Sequence, residues 1–137
     1  MYTVNFWPIL VAAIVAFAIG ALWYSPILFG REWMILTKVT SADIAAAKAR
    51  GMWKSYIAQL IVSLVMFCVL SFLIVATDTM TGSDGAFLAF IVWLGFVATE
   101  SVGRFLWENK PFKLILISSI GSLITLVIGG AIIGAWR

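Results

Sequence analysis

Residues 56–76 read YIAQLIVSLVMFCVLSFLIVA, a stretch without a single charged side chain. That stretch decides the fold. About 20 consecutive apolar residues in a helix cover the ~30 Å hydrocarbon core of a bilayer. The run is continuous rather than alternating, so it does not read as a barrel strand. A helix also pairs its own backbone N–H and C=O groups where there is no water to do so.

Working outward, three more runs share this character, at about 4–24, 86–107 and 112–135. The whole chain of 137 residues is 64% hydrophobic and 11% charged, with a mean hydropathy of +1.11. Soluble domains carry about 45–50% apolar and about 25% charged residues, and a chain this short cannot hide such an excess inside a water-soluble core. The expected fold is therefore all-α: four transmembrane helices in an antiparallel bundle, forming a single domain over 1–137. The aromatic residues mark the ends of the spans. Trp7, Trp23 and Tyr24 bracket the first, Trp53 and Tyr56 open the second, Trp107 closes the third, and Phe112 and Trp136 bracket the fourth. Trp and Tyr rings collect at the bilayer interface because they join an apolar body to a polar handle. Trp93 falls inside span three and is expected to pack against a neighbouring helix.

The longest connection is 25–55. Pro26 and Gly30 end the first helix, and Thr40-Ser41-Ala42-Asp43 has the spacing of a capping box with Asp in place of Glu or Gln. The alanine-rich stretch to Arg50 then reads as a short helix stopped by Gly51. Its Lys48 and Arg50, with Lys54 and the later Lys110 and Lys113, are candidate contacts to lipid headgroups; a plain solvated linker is the alternative. The connections at 77–85 and 108–111 are short and turn-forming. Arg31, Lys38, Lys48, Arg50 and Lys54 flank the first connection and Arg104, Lys110 and Lys113 the third, leaving only Arg137 of the nine Lys and Arg on the other side. The positive-inside rule then places both connections in the cytoplasm and both termini outside, and so large a bias disfavours dual topology. The N-terminus lacks a basic n-region, so the first span reads as uncleaved.

The net charge of +3 comes from a few basic residues set between apolar runs, which reads as topology and lipid contact rather than nucleic-acid binding. With no His and Cys68 as the only cysteine, disulfides within the chain, Cys/His metal sites and Cys–His catalysis are excluded. Cys68 lies in an apolar run and is expected to be a packed thiol. No phosphate-loop or dinucleotide motif is present, so no cofactor is expected.

The block Gly20-Ala21-Leu22-Trp23-Tyr24-Ser25-Pro26, followed by Leu28-Phe29-Gly30 and Trp33-Met34, resembles the opening of the bacterial membrane family known as domain of unknown function 1761. The resemblance continues through Trp93–Thr99, Glu108 with Lys113-Leu114, and Gly130–Trp136, and so covers nearly the whole chain. It implies a four-span protein of the inner membrane and no particular activity. Where family members tend to carry small polar residues, this chain has Gly103 and Arg104.

Glu100 is the residue with most to say about function. It lies seven residues before Trp107, roughly 10 Å inside the boundary at ~1.5 Å per residue. Intramembrane carboxylates cost on the order of 2.5–3.5 kcal/mol on insertion scales and usually face protein or a water-filled cavity. Arg104 follows one turn later, within reach of an i,i+4 pair. Such a pair is either an internal ion pair whose Arg snorkels to the interface, or a proton- or cation-handling site. No second embedded carboxylate exists to make a dyad, and none of the hydroxyls in the spans has a His or Lys placed to activate it.

Small residues recur at four-residue spacing: Ala12, Ala16 and Gly20 in span one; Gly95, Thr99 and Gly103 in span three; Gly121, Thr125 and Gly129, and Gly130 with Gly134, in span four. This spacing lets helix backbones approach closely. Packing within the bundle is its default use; because span four carries two such series on nearby faces, dimerisation through one of them is the alternative. The favoured functional reading is a structural or accessory subunit that packs in the lipid bilayer against itself or a larger membrane complex. The alternative is a small oligomeric transporter or channel that uses Glu100 and Arg104; a lipid-active enzyme comes third.

Overall fold

The computed structural model describes residues 4–136, and these form helices with no strand. Four helices are long and apolar enough to cross a membrane. They are α1 (Phe6–Trp23), α4 (Trp53–Ala76), α7 (Phe112–Ala135) and a third that runs from Gly82 to Trp107 in three parts. Those parts are α5 (Gly82–Val92), a π-helical turn (Trp93–Ala98) and α6 (Thr99–Trp107). Two short helices, α2 (Gly30–Thr37) and α3 (Ser41–Arg50), fill the long connection. Arg137 lies outside the described residues.

Span four, α7, is the hub, because it touches α1, α4 and α5. Its glycines make that possible. Gly130 and Gly134 lie against Gly85 and Thr81, so that a Cβ on Gly134 would collide with the Thr81 carbonyl. The Phe67 ring from α4 fills the space where a Gly129 side chain would be. Ile9, Ala12, Ala13 and Ala16 of α1 close the core with Leu70, Ile74, Ala89, Leu126 and Ile133. Close backbone approach replaces the hydrophobic drive that lipid removes.

Span three begins four residues earlier than the sequence reading placed it. The Thr81 hydroxyl accepts from the Asp84 N–H at 3.1 Å and caps α5, so Gly82 and Gly85 belong to the helix and not to a loop. The connection between spans one and two holds a helix, α2, that the sequence reading left as a linker. Lys38 ends it in the left-handed region (φ 61°), with Val39 N–H donating to the Met34 carbonyl at 3.0 Å. That is the helix stop usually made by glycine, and a lysine there gives no sequence signal. The α3 capping box is present in full.

Cys68 corrects an expectation. It is exposed on the outer side of α4 rather than packed, because Phe67 and Ser71 take the inward positions there.

Candidate functional site

Span three carries the unusual chemistry. Its first half packs tightly on α7, but no residue from Trp93 to Trp107 is buried, and it is the least buried of the four membrane helices. The Trp93 indole donates to the Ser119 carbonyl at 2.8 Å, and the Phe105 and Phe112 rings meet edge to face at 5.3 Å. These contacts mark the side of the helix that faces α7. Trp93 thus packs against a neighbouring helix, as its place inside the span suggested.

The opposite side is open. Among the described residues, nothing within 4 Å would meet a Cβ on Gly95 or on Gly103. Phe96 is 72% exposed and Trp107 88%. Thr99 and Glu100 are exposed between them, with the Thr99 hydroxyl donating to the Gly95 carbonyl at 2.8 Å. The π-helical turn ends immediately before this pair. Such turns appear mostly as single insertions in α-helices and frequently at functional sites.

The expected Glu100–Arg104 pair does not form. Arg104 turns the other way, its Nε donating to Glu108 Oε2 at 3.3 Å in an exposed pair. Among the described residues Glu100 has no hydrogen-bond or ion-pair partner. Depth explains the choice: an ion pair drawn into hydrocarbon loses hydration that its own attraction barely replaces. Arg104 instead reaches past the helix end to Glu108, the residue after Trp107, where both side chains are exposed.

The small-residue series divide into two groups. Ala12 and Ala16 are buried, and Gly121, Gly129, Gly130 and Gly134 all meet neighbouring groups within the chain. Both series of span four thus meet α1, α4 or α5 within the chain. A Cβ on Gly20, Gly95 or Gly103 would meet nothing within 4 Å among the described residues. Gly85 was missed by the sequence reading, although the Thr81-x-x-Asp84 spacing that starts its helix was there to be read. Trp23 was read only as an interfacial residue. Its indole N–H donates to the Ile117 carbonyl at 3.0 Å, over the space left by Gly121.

At the basic end, the Gly20–Met34 block is a folded-back turn. Gly30 sits so close to the Tyr24 and Ser25 backbone that a side chain would collide, and its N–H donates to the Ser25 carbonyl at 2.9 Å. The Phe29 ring lies 4.6 Å from Trp23 and Trp33 6.3 Å from Tyr24. This turn brings Glu32 to Lys113, at 2.9 Å. Lys113 is thus partnered within the chain rather than free for a lipid headgroup. Lys54 lies over the Trp53 ring at 5.6 Å, while Lys48, Arg50 and Lys110 are exposed. Asp43 accepts from the Thr40 N–H at 2.9 Å, and this bond holds its carboxyl below the usual value.

These residues include the block that carries the family resemblance, and residues 7–134 match the family described as protein of unknown function (DUF1761). The chain belongs to that family. No curated protein and no solved structure matches it. Within the DUF1761 match lie the Gly20–Met34 turn, the open face of span three and the glycines of α7. The family description assigns none of them an activity.

Proposed function

We propose that the protein is an accessory subunit of a cytoplasmic membrane, which works by packing against further membrane helices through the open face of span three. The observation that carries this reading is Glu100, exposed within span three and without a partner among the described residues. A carboxylate left against lipid costs on the order of 2.5–3.5 kcal/mol. A neighbouring helix that offers a donor removes that cost. Gly95 and Gly103 give such a helix room for backbone contact. The partner is a second copy or a larger complex. The basic residues support an orientation with the α2–α3 connection inside and both termini outside.

The test is gentle extraction followed by particle mass, for the unaltered chain and for Gly103→Leu. The Cβ of a leucine at position 103 has nothing within 4 Å among the described residues, so the variant is expected to fold as a monomer and lose the larger particle. A lone 15.0 kDa chain in the unaltered preparation, or a larger particle indifferent to the leucine, defeats the proposal. The π-helical turn beside Glu100 favours a second reading, an oligomeric transporter in which Glu100 handles a proton or cation. Under that reading Glu100→Gln keeps the assembly and abolishes ion flux in reconstituted vesicles.

A further inference from the structure

The turn at Tyr24–Gly30 and the left-handed Lys38 fold α2 and α3 around a cavity of about 930 Å³. Its walls are apolar and aromatic, from Tyr24, Trp33 and Ile44, and its polar groups include Arg31, Lys48 and the Ser41 hydroxyl. A few polar groups in an apolar concavity of this size are the usual make-up of a small-molecule site.

The charge in this cavity is not balanced by the chain. Glu32, next to Arg31, is engaged by Lys113 at 2.9 Å. Asp43, at the start of α3, is held in the capping box by Thr40. Among the described residues neither Arg31 nor Lys48 has an acidic partner. The Asp43 carboxylate occupies the N-terminal end of α3, so attraction for an anion rests on Arg31 and Lys48 and not on the helix dipole.

The surroundings indicate where that anion comes from. The cavity opens directly below the end of α1, beside Tyr24 and Pro26. Ile35 in the cavity wall and Ile27, next to Pro26, stand 76% and 82% exposed, which is favourable for segments lying at the boundary of headgroups and acyl chains. We infer that this cavity holds the headgroup of an anionic phospholipid. Arg31 grips the phosphate through its planar fork, Lys48 adds a second charge, and the upper part of an acyl chain lies along Trp33 and Ile44. This site is independent of the open face of span three, because it is built from other helices.

The experiment is native mass spectrometry of the full chain in neutral detergent after exposure to phosphatidylglycerol or phosphatidylcholine vesicles. One phosphatidylglycerol per chain is retained in preference to phosphatidylcholine. At about 1 kcal/mol per basic residue at the membrane surface, the double variant Arg31→Gln/Lys48→Gln weakens retention about thirtyfold at 1.4 kcal/mol per tenfold. Arg50 and Lys54 stand outside the cavity wall, where a headgroup contact belongs to the diffuse surface field and not to the bound lipid, so Arg50→Gln/Lys54→Gln removes the same charge and retains the one lipid per chain. Equal loss in both variants, equal retention of the two lipids, or displacement of the lipid by inorganic phosphate each overturns the inference. The first shows a diffuse surface field, the second a site that does not read charge, and the third a site for a soluble anion.

Discussion

Alanine at Gly103 and alanine at Gly130 add the same methyl group to the same kind of helix, and the structure predicts different results. Both substitutions gain about 1 kcal/mol of helix propensity. At Gly103 the gain stands alone, because no described residue comes within 4 Å of the new Cβ. At Gly130 the Cβ falls 2.5 Å from the Gly85 carbonyl oxygen and 2.7 Å from the Ala89 Cβ. Neither neighbour is a flexible side chain, so two helix backbones must separate. Overpacking of this kind costs about 1–3 kcal/mol. The propensity gain is common to both, so Gly130→Ala should be less stable than Gly103→Ala by about 1–3 kcal/mol. Unfolding of the monomeric fraction in mild detergent, followed by tryptophan fluorescence and helical circular dichroism, measures the difference. A Gly103→Ala variant destabilised as much as Gly130→Ala would refute the reasoning, since it would show that Gly103 is already packed within its own chain.

Trp23→Phe removes the 3.0 Å indole bond to the Ile117 carbonyl and should cost about 1 kcal/mol in the same unfolding assay. Arg104→Gln breaks only an exposed pair; its effect on stability should stay within about 1 kcal/mol. Glu100→Gln leaves the stability of the isolated chain unchanged and weakens the larger particle, read as particle mass after extraction. Asp43 has its folded pKa lowered by its bond from the Thr40 N–H, relative to 3.8 for the free group. Its cap on α3 is therefore present above pH 3.8 and lost as pH falls below that value through the lower folded one. Amide exchange over 41–50 should quicken in that window, and in an Asp43→Asn variant the step should vanish.

The four membrane helices were legible because uncharged runs such as 56–76 have one physical solution in lipid. The α3 cap was legible because Thr40 and Asp43 announce themselves by spacing alone. The partner of Arg104 was not. Glu100 and Glu108 lie equally far from it along the helix, and the bond to Glu108 shows only in the three-dimensional structure. Spacing also failed to separate the glycines. Gly95 with Gly103 and Gly130 with Gly134 look alike as sequence, yet one pair is open and the other closed. The difference lies in Gly85, on another helix, whose role needs the three-dimensional pairing of α5 with α7. Trp23 was hidden for a similar reason: an interfacial indole and one bonded to a distant carbonyl have the same sequence signature.

If another helix covers span three in the native membrane, photocrosslinking from position 96 captures it. Phe96 is 72% exposed on the open face, so its benzophenone analogue leaves the fold undisturbed. Illuminated in native membranes, this position should yield a discrete protein adduct, while the same analogue at Phe87, exposed on α5 outside the open face, should not. A chain crosslinked only to lipid from position 96, at the mass of one subunit, would contradict the proposal.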